Sequence, residues 1–248
     1  MDRVLARDSR RFGLRPRSAV GPQLSAGAAT AGASLLQRAD RLAVELSERP
    51  LSVLGAVLAL NLGLATCFAA AGPLFGDRAL LFREGAPGTL VSFAELLLIA
   101  AVARAIHRRA DPDRAWWRSF WGLAAVLFAV FAFDEITQSL IYASHALEAA
   151  FALRPAGDFH DLEAVLLTLL FAASALVLLP RTGALLRYPR ALPAFAGAVA
   201  VGAASQALDN FAPVTRWEFV AEETLKLSAE ALFLGGFLLV LSAVRERA

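Results

Sequence analysis

Residues 219–244 read FVAEETLKLSAEALFLGGFLLVLSAV, and every charged side chain of this stretch lies in its first half. The hydrocarbon core of a bilayer is about 30 Å thick, and about 20 helical residues cross it. The stretch is long enough to cross a membrane as one helix, and its second half, LFLGGFLLVLSAV, is uncharged. This pattern therefore predicts a transmembrane helix and sets the fold class.

Five more apolar runs precede this one, which gives six predicted spans. Of the 248 residues, 58% are hydrophobic and 19% are charged, whereas a soluble domain has about 45–50% apolar and about 25% charged residues. The predicted fold class is all-α, a polytopic membrane protein with six transmembrane helices in a bundle. The predicted spans are Leu51–Gly72, Thr89–His107, Trp117–Tyr142, Asp161–Leu179, Ala191–Ala207 and Phe219–Val244.

Arginine residues are distributed unequally between the predicted loops. Nineteen arginines fall in the N-terminal segment, the second and fourth loops and the C-terminus, and only four fall in the other loops. Arginine in short loops stays on the cytoplasmic side, so both termini are predicted to be cytoplasmic, in the plasma (inner) membrane. The arginine-rich loops hold eight of the 22 acidic residues, and the other fourteen lie in outer loops or within spans.

Two segments precede the predicted transmembrane domain, which covers residues 51–248. Residues 1–31 are rich in Arg, Ala, Gly and Ser without apolar periodicity, and are predicted to be a basic, disordered cytoplasmic segment. In residues 32–50, apolar residues recur at helical spacing, which predicts an amphipathic interfacial helix that ends before Pro50. The alternative is a helix that packs on the protein's own loops. The expected partners are the lipid bilayer and, through the N-terminal segment, a cytoplasmic or membrane protein or anionic lipid. The predicted membrane topology accounts for the number and distribution of the basic residues, so no nucleic-acid partner is expected.

Ionisable side chains within or near the ends of the predicted spans, together with the amide side chain of Gln138, form the candidate site. Such groups are costly at membrane depth and are a functional-site hypothesis by default. The helical rise of about 1.5 Å per residue places them in the outer half of the bundle. We expect them to line one acidic cavity that binds or transports a cation, a proton or a cationic solute. The candidates are Glu95, Asp134, Glu135, Gln138, Asp209, Glu222, Glu223, Lys226 and Glu230.

Lys226 is the only lysine among 24 basic residues, and it shares a helix face with Glu223 and Glu230. One interpretation is a structural ion pair with Glu222, Glu223, Glu230 or Asp134. The other is a proton- or ion-coupled site, in which desolvation lowers the pKa of the amine. A Schiff-base lysine is disfavoured because a seventh span is missing.

A metal site is an alternative to the cation site. His160 and Glu163 are three residues apart, so both could reach one divalent metal ion, and His145 could join them. With Asp134 as a further ligand, such a site would support a metal-dependent membrane hydrolase with a carboxylate as general base. The ordinary interpretation places His160 at the membrane interface. Cys67 is the only cysteine, which excludes an internal disulfide and a multi-cysteine metal site. Asn61 is predicted to form an interhelical hydrogen bond.

Two short motifs, FAFDEITQSL at 131–140 and EETLKLSAEALFLGG at 222–236, carry a resemblance. They are similar to a loose group of uncharacterised bacterial polytopic membrane proteins with intramembrane Asp-Glu and Glu-Glu motifs. The resemblance covers two of the six spans and implies a bacterial inner-membrane protein, but no activity. Lys226 departs from the acidic or apolar residue usual at its position. The matching positions are Asp134, Glu135, Glu222, Glu223 and His145.

The chain does not resemble alkaline ceramidase-like hydrolases at the residues that bind their zinc. Those proteins hold zinc with three histidines, and this chain has three histidines in all, with His107 at the cytoplasmic end. Three classes stay open in the following order: a cation-binding or transport protein, a non-catalytic membrane subunit or scaffold with buried ion pairs, and a metal-dependent hydrolase. The sequence leaves open whether the protein is an enzyme.

Overall fold

The structure is a computed structural model of the chain. It describes residues 21–71, 87–110, 115–151, 169–170, 172–174, 176–211 and 216–247, and within these residues it is all-α, without strands. The chain divides into two compact units, residues 1–38 and 39–248. The described helices are α1 (Gly21–Leu46), α2 (Pro50–Ala71), α3 (Pro87–Arg109), α4 (Ala115–Thr137), α5 (Ser139–Phe151), a 3-10 helix (Leu179–Arg187), α6 (Leu192–Phe211) and α7 (Arg216–Arg245).

Four of these helices, α2, α3, α4 and α7, are long and apolar enough to cross a membrane, and they are compatible with a multi-pass membrane protein in contact with lipid. Of the other predicted spans, Asp161–Leu179 lies mostly outside the described residues, and Ala191–Ala207 falls largely within the Ala- and Gly-rich helix α6. Their crossing of the membrane stays a prediction. The candidate spans are Pro50–Cys67, Pro87–Arg109, Arg118–Thr137 and Phe219–Arg245.

The N-terminal helix differs in extent from its sequence prediction. α1 begins at Gly21 rather than at residue 32, so the described part of the segment predicted as disordered, residues 21–31, has helical backbone. Residues 1–20 lie outside the described residues. Four of the eleven residues 21–31 are alanine, which has the highest intrinsic helix propensity, so this stretch can be helical without the apolar stripe on which the prediction relied.

The third predicted span, Trp117–Tyr142, is divided in two. α4 ends at Thr137, Gln138 adopts a φ of 53°, and α5 begins at Ser139. Positive φ is uncommon for a residue other than glycine and interrupts a regular right-handed helix. The prediction of one continuous helix to Tyr142 is therefore wrong. Hydropathy missed the break because the apolar pattern continues across it.

The helices α3 and α7 run in the same direction. Toward one end of the bundle, Ser92 in the N-terminal part of α3 contacts Glu230 in the middle of α7. Near their C-termini both contact residues at the end of α1: Arg104 of α3 lies 3.8 Å from the Asp40 carboxylate, and Arg245 of α7 donates to the Val44 carbonyl oxygen. We call the first of these two ends of the bundle the acidic end and the second the arginine end.

The helices α2, α4 and α6 run in the opposite direction to α7. At the acidic end, Asn61 of α2 and Glu135 of α4 contact α7 near Leu227, and Ser205 of α6 contacts it at Glu222. At the arginine end, Leu54 of α2 lies against Gly235, whereas Trp121 of α4 and Phe195 of α6 both contact Phe237. Each of these helices therefore starts at the arginine end and finishes at the acidic end.

An aromatic cluster fills the interior of the bundle toward the arginine end. The ring centroid of Phe237 lies 5.7 Å from that of Trp121, 5.5 Å from Phe128 and 5.3 Å from Phe195. The next residue back, Gly236, lets Phe195 approach so closely that a Cβ there would lie 2.9 Å from its ring. Edge-to-face rings of this kind pack tightly around an apolar interior. The buried polar groups through which α2, α3 and α4 contact α7 lie beyond this cluster, at the acidic end.

Candidate functional site

Lys226 is held by two carboxylates at the acidic end. Its Nζ atom lies 2.9 Å from Oε1 of Glu135 on α4 and 3.7 Å from Oε2 of Glu223, one turn earlier on α7. Both carboxylate side chains are largely buried, with 16% and 14% exposure. Of the predicted partners, Glu223 is confirmed, whereas the partner across the bundle is Glu135 and not Asp134. One lysine therefore offsets part of the negative charge of two glutamates.

Glu230, one turn further along α7, belongs to a second group. Its Oε1 atom accepts a hydrogen bond of 2.8 Å from the Ser92 hydroxyl of α3. Glu95 lies three residues after Ser92, hence on the same face of α3. Both glutamates are buried, with 6% and 7% exposure. The two carboxyl groups therefore face one interior region between α3 and α7.

Most of the oxygen atoms of this pair have no partner among the described residues. Oε1 and Oε2 of Glu95 and Oε2 of Glu230 are buried without a hydrogen bond. Asn61 lies beside Glu95, but its amide donates to the Leu227 carbonyl oxygen at 3.0 Å, and its own Oδ1 is also buried without a partner. The interhelical hydrogen bond predicted for Asn61 is confirmed. By hydrogen-bond geometry, four acceptor oxygens on three helices thus lack a donor, although the Asn61 amide interacts with the Glu95 carboxyl group.

The charge of the acidic end requires compensation. Glu95, Glu135, Glu223 and Glu230 supply four carboxyl groups, and Lys226 supplies one ammonium group. A charged side chain at the centre of a bilayer costs at least about 2.5–3.5 kcal/mol unless it is paired. Lys226 can balance only one carboxylate. Four ionised carboxylates would therefore carry more negative charge than the described basic side chain of this group neutralises.

Asp134, adjacent to Glu135, has a different role. Its Oδ1 accepts hydrogen bonds from the Ser139 hydroxyl at 2.7 Å and from the Leu140 amide at 2.9 Å. These groups belong to the first turn of α5, where amide donors lack acceptors within the helix. Asp134 therefore caps α5 beyond the break at Gln138. The structure does not bring it into contact with Lys226.

The remaining acidic candidates lie at the edge of the cluster. Asp209, exposed near the end of α6, is close enough to Glu223 for their charges to interact. Glu222 is half-buried, and its backbone oxygen accepts a hydrogen bond from the Ser205 hydroxyl. Neither extends the Glu95–Glu230 pair. The cluster itself is Asn61, Ser92, Glu95, Glu135, Glu223, Lys226 and Glu230, and we call it the acidic cluster.

The predicted metal ligands receive no support from the geometry. His160 and Glu163 lie outside the described residues, and for His145 the structure describes only its place in α5. Among the residues that are described, no group of three or more His, Cys, Asp or Glu side chains could hold a metal ion.

Ser92 is the member of the acidic cluster that the sequence prediction missed. Thr89, Ser92 and Glu95 recur every three residues along α3, and all three are buried. A polar stripe of this spacing on an apolar helix could have identified the face of α3 that meets α7. No protein-family model, no curated protein and no solved structure matches the chain.

Proposed function

We propose that this chain is an integral membrane protein that binds a proton or another cation at Glu95 and Glu230, and that transport of this cation is its function. The observation that carries the proposal is the set of buried oxygen atoms without donors on these two glutamates. A buried carboxylate without a partner is unstable, whereas a proton or cation shared between two carboxyl groups removes the cost.

The ion pairs of Lys226 divide the acidic cluster into a fixed part and an exchangeable part. Glu135 and Glu223 share one permanent counter-ion, the Lys226 ammonium group, at 2.9 Å and 3.7 Å. Among the described residues, Glu95 and Glu230 form no ion pair of this kind, so in this proposal a ligand from solution compensates them. The lysine also adds a positive field next to Glu230, which would weaken cation binding enough to permit release.

The proposal includes six spans with both termini on the cytoplasmic side. α4 and α6 both run from the arginine end to the acidic end, so the chain must return to the arginine end between Thr137 and Leu192. The predicted span Asp161–Leu179 provides that return. The nineteen arginines predicted to be cytoplasmic then share one side of the membrane.

A second candidate function is a non-catalytic membrane subunit or scaffold, and the Lys226 pairs favour it. An ion pair joining α4 to α7 can fix the arrangement of a bundle without any exchangeable ligand. The two functions differ in what they require of Glu95 and Glu230. A scaffold needs these residues only for folding, whereas a cation-binding protein needs them for a stoichiometric exchange with solution.

Proton release on cation addition tests the proposed function. The purified protein in weakly buffered detergent, with a pH-indicator dye, would receive sodium, potassium, magnesium or guanidinium chloride at matched ionic strength. A cation that replaces a shared proton should release about one proton per chain. Glu95→Gln and Glu230→Gln should each abolish the release.

The matched control is Glu45→Gln, which removes an exposed carboxyl group from α1. It should release as many protons as the unmodified chain. If no cation causes release and the stability of the protein is the same across pH, the site holds no exchangeable ion and the scaffold function stands instead.

A further inference from the structure

A cleft of about 720 Å³ opens at the arginine end, on the opposite side of the bundle from the acidic cluster. Three segments line it: the start of α2, the connection from the 3-10 helix to α6, and the end of α7. Four arginines belong to the lining, and Glu246 is the single carboxylate among the lining residues. We call it the basic cleft. Its arginines are Arg49, Arg187, Arg190 and Arg247.

The polar groups of the basic cleft suit a phosphate anion. Guanidinium groups bind phosphate oxygens in pairs and stay charged at any physiological pH. Arg247 stacks over the Tyr188 ring, with its Cζ 5.4 Å from the ring centroid, which restricts one of the four. Burial raises the pKa of the Tyr188 hydroxyl, and the charge of Arg247 opposes the rise. The hydroxyl therefore stays protonated.

Two helix N-termini add to this preference. α2 begins at Pro50, which lines the cleft, and α6 begins at Leu192, directly after the lining residue Ala191. Each first turn contains one proline, Pro50 or Pro193, which has no amide hydrogen; the other first-turn amides lack acceptors within the helix, and the helix dipole places partial positive charge there. Phosphate groups commonly bind at such positions. Side chains and backbone thus favour the same kind of ligand.

The apolar part of the lining indicates which phosphate compound fits. Leu51, Leu239 and Ala243 line the cleft beside the arginines, and Leu51 is 67% exposed. Leu51 is also the second residue of the candidate span Pro50–Cys67, so the cleft opens where that span would meet the membrane surface. A phosphate that carries acyl chains satisfies both parts of the lining, whereas a free phosphate satisfies only the arginines.

We propose that the basic cleft binds the phosphate of an anionic phospholipid headgroup. This site is separate from the acidic cluster and does not depend on the proposed cation-binding function. The phospholipid would join α2 to α6 and α7 from the membrane surface, in the way that basic pockets between transmembrane helices hold acidic headgroups.

Native mass spectrometry of the full chain in detergent tests the proposal, with phosphatidylglycerol, phosphatidylcholine and inorganic phosphate as separate probes. Arg49→Gln combined with Arg190→Gln removes two exposed charges from the cleft. At about 1 kcal/mol per arginine, phosphatidylglycerol should bind roughly 30-fold more weakly to this variant. Glu246→Gln removes the single carboxylate and should strengthen binding roughly fivefold.

The control is Arg41→Gln combined with Arg109→Gln, which removes the same charge from exposed positions outside the lining. Its affinity for phosphatidylglycerol should stay within about threefold of that of the unmodified chain, because salt screens distant surface charges. Equal weakening in both double variants would show general surface attraction and overturn the proposal. Equal binding of phosphatidylcholine would also overturn it. If millimolar inorganic phosphate displaces phosphatidylglycerol from the unmodified chain but not from the Arg49→Gln, Arg190→Gln variant, the site binds free phosphate and the lipid proposal is rejected.

Discussion

The Lys226 ammonium nitrogen lies 2.9 Å from Oε1 of Glu135, and this contact joins α7 to α4 across 91 residues of sequence. It explains why one lysine persists in a chain that otherwise uses arginine for its positive charge. A compact ammonium group can contact Glu135 and Glu223 at once, in a space where a planar guanidinium group would require a wider arrangement. The pair also sets the rotation of α4, because it directs Glu135 rather than Asp134 toward α7.

Removal of the lysine should destabilise the protein. Lys226→Met leaves Glu135 and Glu223 without their counter-ion, at an expected cost of about 3–5 kcal/mol in the free energy of unfolding. Combining it with Glu135→Gln should recover about 0.5–3 kcal/mol of that cost, since contacting residues couple by this amount. Denaturation of the single and double variants in detergent measures the coupling. Strictly additive effects would show that the two side chains do not interact.

Asp134 should matter for the start of α5 and not for cation binding. Asp134→Ala removes the acceptor of the Leu140 amide and should lower stability by about 1 kcal/mol. Asp134→Asn retains an oxygen acceptor and should cost less. Hydrogen exchange should become faster at the Leu140 amide, while proton release on cation addition stays unchanged. Loss of cation binding in the asparagine variant would place Asp134 in the site and contradict its capping role.

The conformation of Gln138 gives a test of the break between α4 and α5. A non-glycine residue in the left-handed region costs about 1–2 kcal/mol, so Gln138→Gly should raise stability by about 1 kcal/mol. Gln138→Val should lower it, because a β-branched side chain fits this region least well. Thermal unfolding of both variants checks the sign. Stabilisation by valine would mean that α4 and α5 form one continuous helix.

The close approach of Gly236 to Phe195 predicts opposite outcomes for two glycine substitutions. Gly236→Ala places a Cβ 2.9 Å from the ring and should destabilise the protein by about 1–3 kcal/mol. Gly63→Ala on α2 is the matched control, because nothing lies within 4 Å of its added Cβ. The control should gain up to about 1 kcal/mol from helix propensity. Equal effects in thermal unfolding would contradict the packing of α6 against α7.

Sequence reasoning located the candidate spans in α2, α3, α4 and α7 because hydropathy is a local property of each segment. It also placed Glu223, Lys226 and Glu230 on one face of α7, since helical spacing fixes their angular positions. It could not choose between the neighbours Asp134 and Glu135. That choice depends on the rotation of α4 against α7 and on the break at Gln138.

Two further features depended on packing and were not predictable. Ser92 became part of the acidic cluster only through the parallel contact of α3 with α7. The basic cleft forms from segments nearly 200 residues apart, such as Arg49 and Arg247, which no spacing rule connects. In the sequence, the arginines of the cleft indicate only the membrane topology.

Infrared difference spectroscopy of buried carboxyl groups tests the central claim most directly. The chain in detergent would be compared with Glu95→Gln, Glu230→Gln and the exposed control Glu45→Gln at neutral pH, with and without the cation that releases protons. We predict a carbonyl-stretch band of a protonated, poorly hydrated carboxyl group that the cation removes. Glu95→Gln and Glu230→Gln should lack the cation-sensitive band, and the control should retain it. A band that responds to neither an added cation nor pH, or that persists unchanged in both glutamine variants, would contradict an exchangeable ion at Glu95 and Glu230.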